Sequence, residues 1–149
     1  MDTDAWLAVL HHIGVFALLG VLTAEWAIVR PGITAAQVGF VSRIDRFYGL
    51  AALWVIVVGI CRVAFGVAPA SFYLENPTFW VKMAGIAAIG ILSAGPTRRY
   101  PQWRRAAADG GAEPEGVEID AARRAIHLQL AVFPMIPIAA ALMARGIGN

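Results

Sequence analysis

The sequence predicts an all-α integral membrane protein, a four-helix bundle, and three observations carry that prediction. Four long apolar stretches, at about residues 6–29, 44–65, 79–97 and 122–143, fill most of the 149-residue chain. Each approaches or exceeds the ~20 residues a helix needs to cross a hydrocarbon core of about 30 Å. Apolar residues make up 59% of the chain and charged residues 15%, against about 45–50% and 25% in soluble domains, and the mean hydropathy is +0.66. The stretches also lack the polar outer face that a soluble amphipathic helix repeats every third or fourth position; Gly49 to Cys61 contains no charged residue at all. The least apolar connection, 96–124, leaves no room for a second folded domain, so a single transmembrane domain is expected.

The first span follows an acidic leader, Met1-Asp2-Thr3-Asp4. A secretory signal begins with a positive region and has an apolar run of about 7–15 residues, so this longer stretch is expected to remain as a helix. Pro31-Gly32 ends it, and Ile33 to Ser42 reads as an interfacial lead into span two. The 66–78 connection holds Pro69, Phe72, Tyr73 and Pro77, which suits a compact loop with its rings at headgroup level. Asn76-Pro77-Thr78 is a start signal for span three, a capping side chain followed by proline in the first turn. On span three, Ala84 with Ala88 and Gly90 with Ala94 give small-xxx-small spacings that permit close helix contact. Tyr100 and Trp103 interleave with the arginines of 98–105 as an interfacial anchor, and Asp109 to Gly116 reads as the tip of that connection. In span four, Pro134 and Pro137 deprive the carbonyls of Leu130 and Phe133 of their donors and predict a kink.

Basic residues set the orientation. Arg30, Arg43, Arg46, Arg98, Arg99, Arg104, Arg105, Arg123 and Arg124 fall on the side of the first and third connections, nine of the 12 in the chain. Arg62, Lys82 and Arg145 fall on the other. Excess Lys and Arg mark the cytoplasmic side, so both termini are expected outside. The positive charge is distributed as membrane topology distributes it and forms no patch for nucleic acid. The lone Cys61 has no partner for an intramolecular disulfide.

Ionisable side chains within spans are costly and usually face the bundle interior or a site. His11, His12, Arg62 and Lys82 share one outer layer, and Met143 approaches it. Haem b is one occupant such a layer suits. His11 or His12 would ligate the iron, Met143 is the weaker candidate for a second ligand, and Arg62 and Lys82 would meet the propionates. The same residues also read as snorkelling cations and hydrogen-bonded histidines. An inner layer holds Glu25, Arg43, Asp45, Arg46 and His127. There Glu25 is expected to pair with Arg43 or Arg46, and the sharper alternative is a proton path from Glu25 or Asp45 to the outer histidines. Glu25 follows His11 by 14 residues, which leaves the two within about 40° of one helix face. No P-loop, HExxH or CxxC motif occurs, and no catalytic residue is assigned.

Several blocks carry a resemblance: Leu10-His11-His12, Ala24-Glu25, Arg43-Ile44-Asp45-Arg46-Phe47-Tyr48-Gly49-Leu50-Ala51-Ala52, Gly59-Ile60-Cys61-Arg62-Val63, Phe79-Trp80-Val81-Lys82, Gly95-Pro96-Thr97 and Ala141 to Gly146. Together they resemble a bacterial family of small membrane proteins labelled domain of unknown function 2214, over nearly the whole chain. The resemblance implies a multi-pass protein of the bacterial inner membrane and supplies no activity. A fainter similarity is to the HemJ-type protoporphyrinogen oxidases, through the early histidine at His11 or His12 and the aromatic-x-Lys at Trp80-Val81-Lys82; it implies associated haem. The chain departs from that pattern after the first helix, which puts the oxidase activity in doubt more than it does haem binding. The leading expectation is a haem-binding membrane protein with a redox or haem-linked role. The alternatives are a non-enzymatic accessory subunit packed in a homo-oligomer or larger complex, or a small transporter.

Reporter fusions test the orientation. Fusions at the C-terminus and within 66–78 are expected to read outside, and one at Gly110 inside; an inside signal from the C-terminus would overturn the charge argument.

Overall fold

The computed structural model describes residues 3–110 and 114–148, so the tip expected at 109–116 lies partly outside the described residues. Those residues form six helices and no strand: α1 (Thr3–Ile28), α2 (Ala35–Phe65), α3 (Ala70–Leu74), α4 (Pro77–Ala108), α5 (Gly116–Val132) and α6 (Met135–Ala144). Four helical units are long and apolar enough to cross a membrane, namely α1, α2, α4 and the continuous pair α5–α6.

Local chemistry explains where the helix limits differ from those expected. α2 begins at Ala35, ahead of residue 44, because Thr34 and Gln37 form a reciprocal capping box. The Thr34 hydroxyl accepts from the Gln37 amide at 3.3 Å, and the Gln37 side chain accepts from the Thr34 amide at 2.9 Å. The stretch expected as an interfacial lead is thus the first turns of α2, and it buries Val38 and Val41. α4 starts as the sequence indicates, with Asn76 accepting from the Thr78 amide at 2.8 Å and Pro77 in the first turn. It then passes through Pro96 and Pro101, beyond the expected limit at 97. At 32 residues it is roughly 48 Å long, so its arginine-bearing last turns extend past the hydrocarbon. The fourth span breaks at Pro134. Pro137 has no amide to offer Phe133, and the Phe133 carbonyl accepts from Ile136 instead, at 3.2 Å.

The packing is inverted relative to a soluble bundle. Ile13, Phe16, Leu50, Ile60 and Ile91 are exposed on the outside of the helices, while the interior buries Glu25, Ser42, Asp45 and Gln129. A bilayer accounts for both, since it solvates the apolar faces and leaves polar groups to find partners within the bundle. The main cluster joins α1, α2, α4 and α5 through Leu22, Val41, Tyr48, Tyr100, Trp103 and Ile126. A smaller one joins Tyr73, Phe79 and Met143 at the other end.

Close helix contact falls elsewhere than the expected small-residue spacings. A Cβ on Gly14 would meet Trp54 Cδ1 and Val55 Cγ2, each at 2.7 Å, and one on Gly85 would meet Ile136 at 3.2 Å. Gly90 has nothing within 4 Å of the same position, and Ala84 is exposed. Gly14 therefore sets the α1–α2 approach, which the Trp54 indole reinforces by donating to the Leu10 carbonyl at 3.1 Å.

Candidate functional site: an apolar cavity above a buried carboxylate layer

Between the two clusters the helices form a cavity of about 750 Å³, open on one side. α1 contributes His11, Val15 and Leu18; α2 runs from Tyr48 at one end to Val63 at the other; α4 contributes Phe79, Lys82, Met83, Ile86 and Ser93. Phe133 and Ile136 from the broken fourth span complete the wall. The lining is almost wholly apolar, and His11 and Lys82 are its ionisable side chains save the phenol of Tyr48.

His11 reaches the cavity because Gly59 faces it without a side chain; a Cβ there would lie 3.4 Å from the imidazole Cε1. The Val55 backbone approaches the ring, yet Nδ1 is shielded and makes no hydrogen bond. The imidazole thus lines the cavity with Nδ1 turned against α2. The Lys82 ammonium stands 5.1 Å from the centre of the Phe79 ring, a cation–π contact that steadies a half-buried charge.

The other three outer-layer residues are not on the cavity wall. His12 is exposed, and its Nδ1 lies 2.6 Å from the Ala8 carbonyl, because adjacent helical residues point about 100° apart. Arg62 forms an ion pair with Asp4, Nε to Oδ1 at 3.9 Å. Met143 is buried with Tyr73 and Phe79; the thioether lining the cavity is that of Met83. Sequence depth alone pointed to Met143, whereas the helical phase of Phe79, Lys82, Met83 and Ile86, at i, i+3, i+4 and i+7, is the signal for Met83.

The inner layer departs further from expectation. Glu25 and Asp45 are both buried, but neither pairs with an arginine; among the described residues the one ion pair is that of Arg62 with Asp4. Arg43 and Arg46 are exposed, since positions 43 and 46 lie about 160° and 100° around α2 from Asp45. Arg43 donates to the Gly39 carbonyl at 3.2 Å. His127 also faces outward, accepting from the Trp26 indole at 2.6 Å. Neutral donors take the place of the arginines. Tyr100 donates to Glu25 Oε2 at 3.4 Å, Thr97 donates to Asp45 Oδ1 at 2.8 Å, and Tyr48 donates to Gln129 Oε1 at 3.0 Å. Tyr100, expected as an interfacial anchor, is fully buried. Pro96, Tyr100 and Trp103 share one buried face of α4, and that spacing is the sign that places Tyr100 inside.

This geometry yields a stability contrast. Tyr48→Phe leaves the buried Gln129 oxygen without its donor and is expected to lower stability in detergent by about 1–3 kcal/mol. Arg46→Ala, at the surface, is expected to stay within about 0.5 kcal/mol. Thermal or denaturant melts of the two variants check the order; a larger loss for Arg46→Ala would restore the arginine pairing.

Residues 3–148 match a family described as predicted membrane protein, DUF2214. No curated protein and no solved structure matches the chain.

Proposed function

The chain belongs to the DUF2214 family of predicted membrane proteins, and from that premise we propose that it binds haem b within the cavity between α1, α2 and α4. The observation that carries the reading is the imidazole of His11, which lines an apolar cavity with Lys82 on the same wall. Small-molecule sites typically enclose about 300–1,000 Å³ and are apolar, with a few placed polar groups; this cavity has that size and character. His11 would ligate a haem held in it, and Lys82, the cation on the same wall, would neutralise a propionate. Met83 offers a thioether from the α4 side, while His12, Arg62 and Met143 stand off the wall. The residues present therefore fit a haem held by one histidine. Bound haem supplies one-electron redox chemistry, and the chain's own part is to ligate, to neutralise a carboxylate and to exclude water. On the charge argument the cavity lies in the outer half of a bacterial inner membrane.

Protein purified in mild detergent, with hemin supplied, is expected to show a Soret band that shifts on reduction. His11→Ala is expected to abolish the band and His12→Ala to retain it. Lys82→Ala is expected to weaken hemin affinity roughly tenfold, the scale of one charge-assisted hydrogen bond, with circular dichroism confirming that the helices persist. A wild-type protein that stays colourless after added hemin would reject the haem reading in favour of an accessory subunit.

A further inference from the structure

At the inner end of the cavity the bundle buries two carboxylates and supplies no cation to either. Glu25 is 3% exposed and Asp45 6%, and their donors, Tyr100 and Thr97, are neighbours three residues apart on α4. Glu25 Oε2 accepts from Tyr100; Oε1 is shielded from solvent and has no hydrogen-bond partner. The groups around the pair are neutral or engaged elsewhere. α2 brings Tyr48 and α4 brings Thr97 and Tyr100. From α5, Gln129 is neutral, Arg123 donates to the Val29 carbonyl, and His127 is held by Trp26 at the surface.

An isolated ionised carboxylate in such surroundings is very costly, and a second one beside it adds repulsion. A positive charge has to be bound there. A metal ion would need a cage of about six or more oxygens if it were calcium or magnesium. Among the described residues no group of three or more His, Cys, Asp or Glu comes together. A proton needs no cage. We propose that Glu25 and Asp45 form a proton-binding site in the bundle interior that takes up one proton, with the unpartnered Glu25 oxygen as its seat. Tyr48 stands between the site and the cavity, since it lines the cavity and is buried on α2 one turn from Asp45. The site stands whatever ligand fills the cavity.

Infrared spectroscopy of the haem-free wild-type protein in detergent at neutral pH tests this directly. The expected spectrum contains the C=O stretch of a protonated carboxyl group, shifting after exchange into D2O. Glu25→Gln is expected to lose that band while keeping the wild-type melting temperature, because glutamine resembles the protonated acid. The exposed control Glu75→Gln is expected to keep the band. Absence of the band from the wild-type protein would overturn the proposal, and that result needs no variant to fold. A band that Glu25→Gln leaves intact would overturn it as well. So would a band that appears only when sodium and potassium are withdrawn, since the occupant would then be a metal cation.

Discussion

The bilayer core offers no water, so each polar group carried into it must be met inside the bundle or excluded from it. This constraint orders the molecule. The hydroxyls of Tyr48, Thr97 and Tyr100 all turn inward onto Gln129, Asp45 and Glu25. The indole of Trp54 finds a backbone carbonyl on the neighbouring helix. The arginines that cannot be met inside stand on the outer faces of the helices near their ends, where they can reach headgroups. What remains in the interior is a set of polar groups met by neutral partners, with single atoms of His11 and Glu25 left without a hydrogen bond.

Backbone features shape the space beside them. Gly14 draws α1 against α2, and the glycine at 59 leaves space in which the His11 ring faces the cavity. The break at Pro134 sets Phe133 and Ile136 across the same space. The cavity is therefore a product of backbone features, two glycines and a proline, more than of its lining side chains. Lys82 and His11 give it a polar end, and the carboxylates lie beyond Tyr48 at the other. A ligand held by the histidine and a proton held by the carboxylates would occupy one continuous interior.

The number and kind of helices were legible because an apolar run of spanning length has few other meanings. Their limits were less so. A capping box at Thr34 and Gln37 lengthens α2 through the stretch read as an interfacial lead, and α4 continues across Pro96 and Pro101, past the expected limit at 97. The candidate site shows a sharper division. Depth along a helix could be counted from the sequence, and it put His11, Lys82, Glu25 and Asp45 in two layers. Azimuth could not be read from depth, so Arg46 was set beside Glu25 although it stands about 100° around α2 from Asp45. Met143 was likewise placed at the outer layer by depth, whereas the thioether on the cavity wall is that of Met83. The partners of the carboxylates came from α4, across a contact that no local pattern encodes.

The central claim is that a single inward imidazole, His11, defines the ligand site of this membrane bundle. Anomalous diffraction at the iron edge, from crystals of protein prepared with haem, tests it most directly. The account predicts one iron peak inside the cavity, at ligating distance from the His11 ring. No peak in haem-loaded crystals, or a peak beside His12 or His127 on the lipid-facing surface, would contradict it.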